Sequence, residues 1–445
     1  MPVLLRGSLA LLCGILFPLS SSALDQGKKE PSSVLVQNVR VFDGRGEQLR
    51  EAHVLVEGNR IVRLSRNPIQ TSPGMTVIDG GGRVMIPGLI DTHVHLTATV
   101  GLALPATDAW YLAIRQTVEA ERTLMRGFTT VRDMGGNVFA LKRAVDEGLS
   151  PGPRIYPSGA VLSQTSGHAD FRTPIESHPR FGGHPPYISQ EGNAMIVDGV
   201  SEVLAATREQ LRRGASQIKV MAGGGVISPS DPIDVKQYTS QEMEAAVQAA
   251  ADWNTYVAVH AYNSESITRA LQAGVKSIEH GNLIDEAAMK LLVDKGAVLS
   301  PQVAIFQRDM RLPTENMAKL HQVRAGLDTM FALAKRYGAK ITFGTDIIGP
   351  LEEHQRQGEE FGARLKWFTP VEILRQATSN AADLLALSGP RNPYPGKLGV
   401  IEEGAYADLL VVNGNPLEDV RLLEKPADNL MVIMKNGQVY KNSLH

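Results

Sequence analysis

The sequence predicts an α/β protein: a parallel (β/α)8 (TIM) barrel with a small sheet domain assembled from both termini. Three observations predict it. Between residues 84 and 390, short apolar runs alternate with helical stretches at the spacing of βα units. Both ends of the chain carry β-branched alternation broken by turn dipeptides. His, Lys and Asp side chains recur at the ends of the central apolar runs, where a barrel of this kind gathers its chemistry.

Residues 1–23, MPVLLRGSLALLCGILFPLSSSA, place one charge, Arg6, ahead of an apolar run that ends at Phe17. Ser21-Ser22-Ala23 follows. This is the layout of a cleavable signal peptide and predicts a secreted or periplasmic protein. The run is short for a membrane span and Pro18 interrupts it, so no membrane association is expected after cleavage. Cleavage leaves 44 basic against 47 acidic side chains, a formal charge of −3. It also removes Cys13, the one cysteine in 445 residues. Thiolate nucleophiles and thiolate metal ligands are thereby excluded. Without disulfides, an exported chain must rest on a large core. Near-balanced charge with no Lys/Arg-rich run gives no reason to expect a nucleic-acid partner. At 43% hydrophobic and 21% charged, the composition is that of a folded chain.

After a polar lead at 24–32, VLVQNVRVFDG and AHVLVEGNRIVRLS read as strands turning at Asp43-Gly44 and Gly58-Asn59. They form the first part of the sheet domain, residues 24–83. Eight strand candidates follow within 84–390: VMIPGLIDTHVHL, FTTVRDMGG, RIYPSGAVL, SQIKVMAGGG, YVAVHAYN, SIEHGN, VLSPQVA and ITFGTDI. Helices are expected at 108–126, 241–253 and 371–387. ADLLVVNGNPLED and NLMVIMKNGQVYKN, turning at Asn413-Gly414 and Asn436-Gly437, complete the sheet domain over 391–445.

His93 and His95 lie two apart at the end of the first run, so strand alternation puts them on one face. Lys219 interrupts the apolar run Gln217–Met221. His260 follows Tyr256–Val259, His280 ends the sixth run and Asp346 ends the eighth. Burying any one of these groups without a partner is costly. Their convergence at one end of a barrel predicts a metal site. Four imidazoles and a carboxylate suit zinc-like ions. A lysine ammonium has no lone pair. Reaction with carbon dioxide would turn it into a carbamate, an anion able to bridge two cations, with a shared hydroxide as second bridge and nucleophile. His53, His178, His184, His321, His354 and His445 read as ordinary surface or core residues. Asp133 reads as structural, paired with backbone or with Arg132. Gly223-Gly224-Gly225 lacks the Lys-Ser/Thr of a phosphate loop.

Asp91-Thr92-His93-Val94-His95, Lys219, His260, His280 and Gly344-Thr345-Asp346 together resemble the binuclear amidohydrolase superfamily. So do Pro87-Gly88-Leu89-Ile90-Asp91 and the stretch Gly404-Ala405-Tyr406-Ala407-Asp408-Leu409. SQTSGH at 163–168, IKVMAGGG at 218–225, VHAY at 259–262 and IEHGN at 278–282 are similar to its prolidase-like Xaa-Pro dipeptidase and ochratoxinase-type branch. The resemblance implies a TIM barrel flanked by a β-sandwich made of both termini, and a homo-oligomer. It implies two divalent ions, zinc by preference. His93, His95 and Asp346 would bind the more buried ion and His260 and His280 the other, with Lys219 bridging them as N6-carboxylysine. Asp346 would take the proton of the bridging hydroxide and pass it to the leaving amine. His168 would reach the substrate's carboxylate or developing oxyanion, and Tyr238 would donate to its carbonyl oxygen. The implied activity is hydrolysis of the amide bond to a C-terminal amino acid in dipeptides, N-acyl amino acids or ochratoxin A. The segment 165–200, long for a βα loop, would wall the pocket. The alternatives are an imidazolonepropionase-like ring hydrolase or deaminase on the same scaffold, commonly with one metal and no strand lysine, or a catalytically dead binding or scaffolding relative, though such proteins lose ligands whereas this chain keeps all six.

Overall fold

The structure, a computed structural model, describes residues 33–100, 107–228, 230–308 and 312–444. The expected signal peptide lies outside the described residues. The two ends of the chain do meet in one eight-stranded sheet. Its order is Gln438–Asn442, Leu430–Lys435, Leu409–Val412, Val84–Pro87, Ser33–Val41, Arg50–Glu57 and Arg60–Ser65, with Thr76–Asp79 beside Ser33–Val41. Val84–Pro87 is the seam: it pairs in parallel with Ser33–Val41 and antiparallel with Leu409–Val412. Alternation works as expected here. Along Arg50–Glu57, Ala52, Val54 and Val56 turn inward and join Val34, Val36 and Ile61 in a separate apolar core. The Asn436-Gly437 turn has φ of +55° and +75°, the pattern that makes Asn-Gly the favoured two-residue hairpin turn.

The rest of the strands form two all-parallel sheets. One contains Leu89–Val94, Phe128–Asp133 and Arg154–Pro157. The other runs Ala194–Ile196, Val161–Ser163, Ile218–Met221, Val257–Asn263, Ser277–Leu283 and Val298–Ser300. Helices such as Ala109–Met125, Val200–Arg213, Ser240–Asp252 and Thr314–Tyr337 connect them. Leu89–Val94 and Phe128–Asp133 are buried at every residue, as parallel strands covered by helices must be. Backbone bonds reach between the sheets. Thr342 donates to Leu299 O (3.1 Å), Thr92 to Phe343 O (2.8 Å) and Asp346 to His93 O (2.8 Å), while Ser216 donates to Pro157 O (2.8 Å). Among the described residues no helix is long and apolar enough to cross a membrane.

Four expected elements divide or dissolve. The first run splits at Gly88, where the chain passes from the mixed sheet to a parallel one. A Cβ at Gly88 would stand 2.1 Å from Thr129 Oγ1, so only glycine permits that crossing. The third run splits around Gly159, at φ +73°. Its second half, Val161–Ser163, pairs with an unexpected strand, Ala194–Ile196, from the long segment after it. The eighth run keeps one bridge, Ile341 to Leu299, because Phe343 N turns to Gln376 O and Asp346 adopts φ +54°. The expected 371–387 helix breaks into Pro370–Gln376 and Ser379–Leu385 at Thr378, whose ψ of −97° is not helical.

The mixed sheet is pinned to the parallel part by a buried ion pair, Arg154 Nε to Asp408 Oδ2 at 3.1 Å, with 6% and 5% of the side chains exposed. Arg154→Met removes the partner and leaves the Asp408 charge buried. The expected cost is about 3 kcal/mol, the lower end for a broken buried pair, because Asn436 N still donates to Asp408 at 2.7 Å. Chemical denaturation checks it; an unchanged midpoint would mean the pair does not hold the sheet in place.

Candidate metal centre

All six predicted ligands come together in one largely buried cluster. His93 Nε2 lies 3.5 Å from Asp346 Oδ1 and 3.5 Å from Lys219 Nζ. His95 Nε2 is 3.2 Å from the same Asp346 oxygen. The ligand atoms of His93, His95 and Asp346 all fall within 4.8 Å of one another. The His280 ring is centred 5.2 Å from His93 and 4.5 Å from His260. His95 and Asp346 each keep 14% of the side chain exposed, so the cluster is open to water on their side.

The strand positions differ from expectation. Lys219 is the second residue of Ile218–Met221, and its long stem carries Nζ to the cluster. His260 and His280 stand fourth in seven-residue strands rather than at their ends. Asp346 at φ +54° and His280 at φ +71° are left-handed. Such a backbone is uncommon outside glycine and persists where the surroundings impose it. At His280 it interrupts alternation, so two consecutive residues, Glu279 and His280, both touch the cluster. Glu279 Oε2 is 2.9 Å from His93 Nδ1. Period-two reading sends neighbours to opposite faces, which is why Glu279 goes unnoticed in the sequence.

Residues 84–440 match the model of the amidohydrolase family. The chain belongs to that family. Ochratoxinase of Aspergillus niger is 32% identical to this amidohydrolase over 424 residues, covering 90% of this chain and 85% of the relative. A prolidase structure complexed with N-methylphosphonate-L-proline is 38% identical, with TM-score 0.84, over 92% of this chain and 100% of that one. A Xaa-Pro dipeptidase structure with methionine bound in its active site is 32% identical, with TM-score 0.81, over 92% and 100%. This amidohydrolase is therefore a hydrolytic enzyme of the prolidase-like branch.

Its donor set fits a metal. Burial holds His93, His260 and His280 well below the ordinary imidazole range, reinforced by neighbouring His and Lys219 charges. They are neutral and keep lone pairs. His95 Nδ1 faces Gly135 O at 3.0 Å and His260 Nε2 faces Gly224 O at 3.0 Å. Each ring thus spends one nitrogen on a carbonyl and leaves the other for a ligand, with His95 Nε2 already facing Asp346 Oδ1. His280 Nδ1 is buried with no hydrogen-bond partner. Burial opposes ionisation of Asp346, but His93, His95 and Lys219 outweigh it and hold the carboxyl below its usual range. The same contact raises His95 although burial lowers it. Burial brings Lys219 down to about 8, against the pull of Glu279 and Asp346.

Around these, Asp91 ties the first strand to Asp346. It accepts from His93 N (3.0 Å), Thr345 Oγ1 (2.6 Å) and Gln357 Nε2 (2.9 Å), and burial raises it to about 6 despite those bonds. Asp133 is structural as expected, accepting from Leu96 N at 2.8 Å and Gly135 N at 3.3 Å. Its expected alternative partner, Arg132, instead binds Glu279 at 2.8 and 2.9 Å.

His168 is at the site. Its ring stacks on His260 at 4.3 Å, and Nδ1 is held by Ser228 Oγ (2.7 Å) and Asp231 Oδ2 (3.2 Å). Tyr238 is a correction. Its hydroxyl donates to Val197 O at 3.1 Å and its ring is part of the main apolar core. In this structure the hydroxyl is thus engaged by Val197 rather than turned to the expected substrate carbonyl. Its neighbour Gln237 does matter there, since Gln237 Oε1 accepts from His168 N at 2.9 Å.

Proposed function

We propose that this amidohydrolase hydrolyses the amide bond to a C-terminal amino acid in small substrates: dipeptides, N-acyl amino acids and ochratoxin A. The observation that carries the reading is the convergence of His93, His95, Lys219, His260, His280 and Asp346 in one cluster. Relatives named as an ochratoxinase and a Xaa-Pro dipeptidase, aligned over 90% and 92% of the chain, support the substrate class. In this reading Arg154–Pro157 and Val161–Ser163 count as one barrel strand and Ala194–Ile196 stays outside, so that the remaining parallel strands with residues 340–346 close one (β/α)8 barrel, with a β-sandwich built from both termini beside it. The enzyme is exported after loss of residues 1–23.

His93, His95 and Asp346 would hold one zinc-like ion and His260 and His280 a second, with a carboxylated Lys219 between them. Bound there, the ions supply Lewis acidity and make water a nucleophile near neutral pH. The Asp346 carboxylate accepts the proton of the attacking water. It returns that proton to the leaving nitrogen as the C–N bond breaks, giving a carboxylic acid and an amine. Asp91, accepting from Thr345 N and Oγ1, anchors the residue before Asp346. His168, fixed by Ser228, Asp231 and Gln237, binds the substrate's carboxylate or the developing oxyanion.

Metal analysis beside a screen of N-acyl amino acids and dipeptides tests this. About two ions per chain are expected, as for other two-metal hydrolases, with amide hydrolysis abolished by chelation and restored by zinc. A single ion per chain with turnover of cyclic imidazolones or amino-heterocycles, and none of amides, would replace the proposal with the ring-hydrolase or deaminase alternative.

A further inference from the structure

Glu279 is a buried carboxylate that the mechanism above does not use. Its side chain has 0% exposure, as does that of Arg132. Arg132 Nη2 donates to both its oxygens, at 2.8 and 2.9 Å. Ser277 Oγ donates to Oε1 at 2.5 Å. Arg132 is in turn fixed by Thr92 O at 2.6 Å and the Tyr256 hydroxyl at 3.2 Å. The carboxylate is thus held from several sides, and Oε2 is left facing His93 Nδ1 at 2.9 Å.

An ionised carboxylate only accepts hydrogen bonds, so a bond at this distance places the imidazole proton on Nδ1. The lone pair is then on Nε2, the nitrogen 3.5 Å from Asp346 Oδ1 and from Lys219 Nζ. Gln302 Nε2 also lies 3.2 Å from Nδ1. Its amide gives one hydrogen to Ser300 O at 2.8 Å and has a second, which could bond only to the opposite tautomer. The charge-assisted bond to Glu279 is the stronger of the two.

We infer that Glu279, clamped by Arg132, is the positioning residue that sets the His93 tautomer and aims its Nε2 lone pair into the metal cluster. The strand Ser277–Leu283 therefore serves both halves of the cluster. It grips His93 through Glu279 and, after the left-handed step at His280, supplies a ligand from the next residue. The inference rests on the metal reading of the cluster, but not on any substrate.

Zinc affinity of the purified full-length protein, measured by competition with a chromogenic chelator, tests it. Glu279→Gln keeps the side chain's size and loses its charge. An affinity loss of about 10–100-fold is expected, the usual effect of removing a carboxylate behind a metal-bound histidine. Glu279→Asp, which keeps the charge but draws it back, should fall between the two. Unchanged affinity in a folded Glu279→Gln protein overturns the inference. If that variant does not fold, the wild type decides. In 15N-histidine-labelled metal-free protein, the His93 signals, assigned by their loss in His93→Asn, should show a proton on Nδ1 protected from exchange. A proton on Nε2 refutes the inference. These readouts fail independently of the amidase proposal, since neither uses a substrate.

Discussion

Asp346→Asn is expected to lower kcat by about 10²–10⁴-fold, the span attributed to a positioned general acid or base, while leaving the fold intact. The substitution isolates one property. Asparagine has nearly the same volume, and like aspartate it tolerates the left-handed backbone found here at φ +54°. Its amide oxygen can still approach the His95 and His93 nitrogens, 3.2 and 3.5 Å away in the wild type. What it cannot do is accept a proton and give it back. Part of the metal content should therefore survive while turnover does not. Asp346→Ala is the contrast: it removes the ligand atom as well and puts a residue with no local hydrogen bond at a positive φ, so metal and stability fall together. Kinetics and metal analysis on both variants separate the two effects. An Asn variant with wild-type kcat would remove the proton relay from Asp346 and leave it a ligand only.

The ligands were legible in the sequence because each is a polar group in a place where only chemistry excuses it. His93 and His95 are two apart in a strand, and Lys219 interrupts an apolar run buried at every position. Glu279 was illegible for a backbone reason: alternation assumes a regular strand, and the strand turns left-handed at His280. Asp346 was found despite the same conformation, because its identity and position mattered more than its element. Tyr238 shows the opposite failure. Its type and place along the chain matched a donor, but its hydroxyl is spent on Val197 O, a tertiary contact that no local pattern encodes. Gly88 and Gly159 likewise divide two expected strands through close packing or positive φ that sequence spacing does not express.

Lys219→Ala is expected to lose metal and activity together, and to regain part of both when short carboxylic acids are supplied. The wild-type lysine is 1% exposed and its amine lies 3.5 Å from His93 Nε2. Its removal opens a space at the centre of the cluster, where a small carboxylate can supply the two oxygens proposed for the carbamate. Lys219→Met fills that space and should not be rescued, which separates chemical replacement from general tolerance. The environment also makes this lysine suited to reaction with carbon dioxide, because only the neutral amine is a nucleophile. With its pKa brought down to about 8, about a tenth of it is neutral at pH 7, against about three parts in ten thousand for an ordinary lysine. The sign of the pH dependence follows. At fixed dissolved carbon dioxide, reactivation of metal-stripped enzyme by zinc should speed up as pH rises, because the neutral fraction grows, and should level off above about 8. An unperturbed amine would keep accelerating to beyond about pH 10. A rate that climbs without a plateau through that range would remove the lowered pKa, and full activity in the Ala variant would end the case for Lys219 as the bridge.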